Sequence, residues 1–337
     1  MAYRSRISPS IDFDAPGKHW GYLDLAHSTD RSAWGTLRIP VAVASGGANG
    51  SGPTLLVTGG NHGDEYEGQI AAMNLMRSID PDAMQGRVII IPFLNMPAVL
   101  AGKRTSPIDG GNMNRVFPGN PDGTVTEQIA DFVTQVILPL ADTVIDIHSG
   151  GRTLMFEPFA CIHNLDDRTQ FEVAKETLMA FAAPISLVLT ELDSRGMLDT
   201  TVEDLGKTFI STELGGGGTA TASTVRIAAH GLERVMEYMG IAEASPQAKQ
   251  TPPTRFMDTG AEGAFTRSDD EGVLEMLADL GDWVMAGQPL GRVHDIRRPE
   301  REPAMYHAAT DGLLIGRHHP GLVSFGDCFA VQAQDAA

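Results

Sequence analysis

Two histidines and one glutamate in this chain fall where metal chemistry can be built. His62 and Glu65 lie in Gly59-Gly60-Asn61-His62-Gly63-Asp64-Glu65, directly after the apolar run Thr54–Thr58 and at the start of a helical pattern. His148 follows Thr143–Ile147, a second apolar run, and precedes Ser149-Gly150-Gly151. The His-x-x-Glu spacing lets an imidazole and a carboxylate turn toward one point from a tight loop and a first helical turn. Both groups suit zinc, and catalytic zinc sites commonly take three protein ligands and leave a fourth position for water. Each residue alone carries little weight, because a single histidine near a strand end is more often a hydrogen-bonded core residue than a ligand. Two strand ends with glycine-rich flanks put the metal reading and the structural one on equal terms. Asp146, two residues before His148, fits either a partner to the histidine or a structural role.

The elements that must position these residues alternate along the chain. Thr54–Thr58, Arg87–Phe93, Thr143–Ile147, Ile185–Thr190 and Thr208–Thr212 read as short buried strands. Between them, Asp64–Ile79, Thr126–Leu140, Thr169–Phe181 and Val225–Met239 carry apolar residues at helical spacing. Strands alternating with helices predict an α/β fold, a mainly parallel, mixed sheet with helices on both faces. Active sites in such sheets lie at the carboxyl ends of strands, where His62 and His148 fall. Residues 1–50 read as lead-in strands and 51–241 as the catalytic domain. Ala242–Thr254, rich in Pro, Ala, Gln and Ser, reads as a linker, and 255–337 as a small C-terminal all-β domain of barrel-sandwich type.

Composition narrows the function classes. The 337 residues are 42% hydrophobic and 20% charged, which supports a real core. A net charge of −18 disfavours nucleic acid and anionic membrane as partners. No apolar stretch approaches a membrane span, and MAYRSRISPS has no apolar core of a signal peptide. Cys161 and Cys328 are far apart and in no metal-type spacing, so a reducing cytoplasm is expected. The run Gly215–Gly218 has no following Gly-Lys-Ser/Thr, so a phosphate loop is rejected. The adjacent His318 and His319 are expected on the surface.

Taken together, G-G-N-H-G-D-E, N-M-N-R-V-F-P-G and D-I-H-S-G, in this order, resemble the succinylglutamate desuccinylase and aspartoacylase family, which is related to the zinc carboxypeptidases. Longer runs, G-G-N-H-G-D-E-Y-E-G, R-T-S-P-I-D-G-G-N-M-N-R-V-F-P-G and T-E-L-G-G-G-G, look most like its members that deacetylate N-acetyl-diaminobutyrate in ectoine breakdown. The resemblance covers roughly residues 50–240. It implies a zinc-exopeptidase-like fold and one Zn2+ held by His62, Glu65 and His148. It implies that Asn114 and Arg115 grip the substrate's α-carboxylate, which a guanidinium fork matches with two bonds. It also implies Glu213 as general base and proton carrier, and Arg104 as the group that polarises the scissile carbonyl, with Lys103 in that role or a surface position for Arg104 as the alternatives.

The implied substrate is a small N-acyl amino acid. For acetyl-diaminobutyrate, the free second amine calls for a carboxylate; Asp109, Glu191 and Asp193 are loop acids that could serve, although each reads first as solvated surface. The alternatives are deacylation of acetylaspartate or succinylglutamate, a zinc carboxypeptidase acting on short peptides, and a non-catalytic small-molecule binding protein. The C-terminal region contains a weak repeat, Glu271-Gly272-Val273-Leu274 to Gly281 and Asp311-Gly312-Leu313-Leu314 to Gly321, and resembles biotinyl/lipoyl modules. The last lysine is Lys249, so such a module has no attachment amine. A cap over the site or a homo-oligomer contact is left for it.

Overall fold

The computed structural model describes residues 4–47, 51–190, 195–250 and 253–336. Four strands form the parallel centre, in the order Gly86–Ile91, Thr54–Gly59, Thr143–His148 and Thr208–Glu213. Their side chains divide between two cores by parity, as strands buried on both faces must. Leu55, Val57, Ile145, Ile147 and Ile210 pack under the helices Tyr66–Ser78, Arg168–Phe181 and Ala222–Tyr238. Leu56, Ile89, Val144 and Phe209 pack on the opposite face, with Ile129, Phe132 and Val133. Asp146, His148, Ser211 and Glu213 share the parity of Val144 and Phe209.

Phe159–His163 runs antiparallel to Thr208–Glu213, and Ile185–Leu189 and Arg255–Asp258 follow in parallel, which makes the sheet mixed. The lead-in contributes antiparallel strands Ile7–Pro9, Gly17–Ala26 and Thr36–Gly46 to the far edge.

Two helices differ from their sequence reading for physical reasons. The first begins at Tyr66, not Asp64. Glu65 is its N-cap in extended conformation (φ −111°, ψ 102°), and its side chain caps nothing because it is used elsewhere. The expected helix over 126–140 is α-helical only over Val125–Phe132, opened by a Thr124–Glu127 capping box. It passes through a π turn, Val133–Ile137, into a 3-10 turn, Leu138–Leu140, where Pro139 cannot donate to an α-helical ladder.

The C-terminal region is all strand, as its sequence predicts, but it is hydrogen-bonded into the main sheet. Arg255–Asp258 pairs with Cys328–Asp335, and Gly312–His318 pairs with Leu154–Phe156 just beyond His148. The two halves of the repeat exchange partners. Gly272–Met276 pairs with Leu322–Val323, and Gly312–His318 pairs with Trp283–Val284. Residues 242–250 are more than a linker, since Ser245 caps the short helix Pro246–Lys249 and Ala244 and Ala248 are buried. His318 is buried, with Nε2 bonded to Leu322 O, which corrects its surface assignment. His319 is exposed as expected. No helix among the described residues is long and apolar enough to cross a membrane.

Candidate metal centre and its pocket

The first helix approaches the sheet closely because two glycines permit it. A Cβ on Gly68 would stand 2.5 Å from Ile147 O, and one on Gly59 would stand 2.7 Å from Gly68 C. That contact brings the N-cap Glu65 between the ends of the strands Thr54–Gly59 and Thr143–His148.

His62, Glu65 and His148 converge there, each buried, with one ligand atom apiece within 4.8 Å of the others. Glu65 Oε1 lies 2.8 Å from His62 Nδ1, and Oε2 lies 2.8 Å from His148 Nδ1. Ser149 N–H donates to Oε2 at 3.2 Å.

The far nitrogens of both rings are fixed by acceptors. His148 Nε2–H donates to Asp146 Oδ2 at 2.8 Å. Asp146 is held in turn by Asn61 Nδ2 at 2.8 Å and Thr58 Oγ1 at 2.7 Å. His62 Nε2–H donates to Asn112 Oδ1 at 3.0 Å, an oxygen that also accepts from Asn114 N–H at 3.1 Å. A neutral imidazole that donates from Nε2 carries a lone pair on Nδ1. Each Nδ1 faces a carboxylate oxygen of Glu65 at 2.8 Å, a contact satisfied by a proton on Nδ1 or by a cation held between the groups. A divalent cation bound by these three groups satisfies both contacts, and the outward bonds to Asp146 and Asn112 are those that orient metal-binding histidines. The donor set fits a metal.

The electrostatics agree. Burial raises Glu65, but the His62 and His148 imidazoles outweigh it and hold the carboxylate well below its ordinary value. Burial lowers His62 toward the neutral form that binds metals. Burial also opposes charge on His148, but Asp146 and Glu65 outweigh it and raise this ring, so a metal must displace its proton.

Arg104 Nη1 lies 3.2 Å from both Glu65 Oε1 and His62 Nδ1, whereas Lys103 contributes only its carbonyl, which accepts from Gly63 N–H. Glu213 ends its strand as the register partner of His148. Its Oε2 is buried and without a hydrogen-bond partner among the described residues. Burial, with the Glu65 charge adding to it, pushes Glu213 up to about 8.

A cavity of about 160 Å³ opens beside these groups. His62, His148, Arg104, Asn114, Arg115 and Glu213 all line it, so the structure gathers every residue expected to bind or react. Asn114 is also structural, because its Oδ1 accepts from Leu198 N–H at 2.9 Å.

The ammonium acceptors fare differently. Asp109 is spent on Thr126 N–H, Thr126 Oγ1 and Gly111 N–H, and it does not line the cavity. Glu191 and Asp193 lie outside the described residues.

Sequence reasoning missed Asn112 as a partner of His62, along with Asp199, Ser211, Phe209 and His163 in the cavity wall. Phe209, Ser211 and Glu213 alternate along one strand, a period-two signal that could have revealed the first two. Nothing in the sequence around Asp199 distinguished it.

The catalytic-domain model of the succinylglutamate desuccinylase/aspartoacylase family matches residues 51–239. The chain is 46% identical over 330 residues to the N-alpha-acetyl-L-2,4-diaminobutyric acid deacetylase of Halomonas elongata, covering 98% of this chain and 95% of that protein. It is 46% identical, with a TM-score of 0.94, to the product-bound structure of the ectoine utilization protein EutE (DoeB) from Ruegeria pomeroyi, covering 98% of this chain and 99% of the other. A succinylglutamate desuccinylase structure from a Silicibacter species is 44% identical with a TM-score of 0.92, covering 98% and 99%.

Proposed function

Since this chain belongs to the succinylglutamate desuccinylase/aspartoacylase family, we propose that it is a zinc-dependent amidohydrolase that removes the acetyl group from N2-acetyl-L-2,4-diaminobutanoate in ectoine catabolism, in the cytoplasm. The observation that carries the reading is the convergence of His62 Nδ1, His148 Nδ1 and both Glu65 oxygens beside a small cavity. The diaminobutyric acid deacetylase and the ectoine utilization protein, each similar over nearly the whole chain, support the substrate and its pathway.

Zinc held by His62, Glu65 and His148 would supply Lewis acidity, polarising the amide oxygen and acidifying a water. The chain's own groups do the rest. Arg115 presents its guanidinium to the α-carboxylate, and Asn114 Nδ2 remains for the same group while Oδ1 holds Leu198 N–H. These contacts fix the amide's register, which is an entropic contribution to rate. Arg104, beside His62 and Glu65, stabilises charge developing on the acyl oxygen.

Glu213 takes a proton from the attacking water and returns it to the leaving nitrogen. A raised pKa suits this double task, since the same carboxyl must both accept and release a proton near neutral pH. A cation at the neighbouring cluster draws that value down and favours the base form.

The cavity of about 160 Å³ is below the roughly 300–1,000 Å³ of clefts that take drug-sized ligands. It suits an amino acid with a short acyl group and disfavours a peptide. The test is a zinc-replete assay across acetyl-diaminobutyrate, acetylaspartate, succinylglutamate and dipeptides. The proposal expects the highest kcat/KM on acetyl-diaminobutyrate. Preferred cleavage of dipeptides would make the protein a carboxypeptidase, and metal binding without hydrolysis of any substrate would make it a binding protein.

A further inference from the structure

The substrate proposed above carries three groups that a pocket must recognise: an amide, an α-carboxylate and an ω-ammonium. The metal centre and Arg115 account for the first two. The third needs a carboxylate inside the same cavity, and the acids considered from the sequence do not supply it among the described residues.

Among the described residues, the cavity lining contains two acids, Glu213 and Asp199. Glu213 sits beside His148 at the reacting end. Asp199 lies in the first turn of the helix Leu198–Asp204, buried to 5% exposure, and lines the cavity together with Met197, Leu189 and Phe209. The nearby Glu203 of the same helix is engaged by His163 Nδ1 at 2.9 Å. Thr200 donates to Asp199 Oδ1 from both its N–H and its Oγ1, which fixes the carboxylate's orientation.

The segment carrying Asp199 is locked to the segment carrying Arg115. Phe117 N–H donates to Gly196 O at 3.0 Å, and Asn114 Oδ1 accepts from Leu198 N–H at 2.9 Å. Gly196 has φ +73°, and a Cβ there would stand 2.5 Å from Arg115 O. The backbones at 114–117 and 196–199 therefore meet at a fixed separation. One presents a guanidinium to the cavity and the other a carboxylate.

We infer that Asp199 is the specificity-determining residue that receives the substrate's ω-ammonium, forming with Arg115 a two-point clamp for an amino acid with a short cationic side chain. Leu189, Met197 and Phe209, which line the same cavity, offer apolar surface for the intervening methylenes. An ammonium taken into this cavity loses its water, so an acidic partner discriminates strongly against a substrate lacking the charge. The inference rests on the acyl-amino-acid reading.

The experiment compares N2-acetyl-2,4-diaminobutanoate with N-acetyl-2-aminobutanoate, which lacks only the ω-amine, on zinc-loaded wild type, Asp199→Asn and Asp199→Glu. Asp199→Asn should lower kcat/KM for the cationic substrate at least about 30-fold, mainly through KM. It should change the neutral substrate less than about threefold, within the effect of removing an unused contact. Asp199→Glu should recover part of the discrimination. Equal losses on both substrates would assign Asp199 a structural role, and no loss on either would remove it from recognition; each outcome overturns the inference. If Asp199→Asn does not fold, wild type decides the matter. Inhibition by 2,4-diaminobutanoate should be at least about tenfold tighter than by 2-aminobutanoate, and equal inhibition overturns the clamp. Wild type that releases acetate from neither substrate fails the deacetylase reading itself, a distinct result.

Discussion

Glu213 and His148 are register partners at the ends of adjacent parallel strands, so the sheet itself sets the spacing of the proposed base and a proposed metal ligand. Glu213 makes no hydrogen bond to the three ligands. Its replacement should therefore separate chemistry from metal binding. Glu213→Gln is expected to keep full zinc content and a near-native KM while kcat falls roughly 100- to 10,000-fold. Metal analysis and steady-state kinetics on the same preparation check this, and normal turnover removes Glu213 from the mechanism.

The raised value of Glu213 also makes a stability prediction for the metal-free protein. Its ordinary value is 4.5 and its folded value about 8, so the folded chain binds the proton more tightly than the unfolded chain. The stability this contributes is complete below about pH 4.5 and is lost as pH rises through about 8. Glu67, raised to about 7 mainly by burial, and His148 slope in the same direction. The diagnostic quantity is therefore a difference. Melting temperatures of metal-free wild type should fall more between pH 5 and 8 than those of metal-free Glu213→Gln. Parallel curves would show that Glu213 is not held protonated.

Asp146 never reaches the cavity, yet it fixes the His148 ring. Asp146→Ala should weaken zinc affinity about 10- to 100-fold by releasing ring orientation and tautomer. Competition against a chelator of known affinity measures the change. Unaltered affinity would mean that Glu65 and the strand alone orient His148.

Gly68 is a steric requirement of the site rather than a flexible point. Gly68→Ala places a methyl 2.5 Å from Ile147 O and 2.8 Å from Ile147 Cβ. The helix must move away and take Glu65 with it. The expected results are a loss of about 1–3 kcal/mol in stability and weaker zinc binding. Denaturant melts and zinc titration check both, and a neutral effect would contradict the tight approach.

Much of this architecture was legible in the sequence because the strands are continuous apolar runs and the helices carry a clean period. The strand ends holding His62 and His148 could be located for the same reason. What was not legible depends on pairing across long separations. The strand Phe159–His163 runs antiparallel to its neighbour and has no turn signal to say so. Residues 255–337 read as a separate domain because composition shifts at 242, but strand pairing is invisible to composition. Gly312–His318 joins Leu154–Phe156, and the isolated bridge between Met155 and Gly216 ties the loops after His148 and Glu213 together. A truncation near Pro253 would therefore expose the edges of Ile185–Leu189 and Leu154–Phe156 near the site. Asp109 looked available from the sequence, but it anchors the helix opening at Val125. Asp199 was passed over because its relation to Arg115 runs through backbone contacts that no local pattern records.

The central claim is that His62, Glu65 and His148 hold a zinc ion required for deacetylation. It is tested most directly by acetate release from N2-acetyl-L-2,4-diaminobutanoate before metal stripping, after it, and after stoichiometric zinc return, with zinc quantified at each stage. The account predicts about one zinc per chain in the active protein, loss of activity on stripping, and recovery in proportion to zinc bound. Full turnover by the stripped protein, or no acetate release by the zinc-replete one, would contradict it.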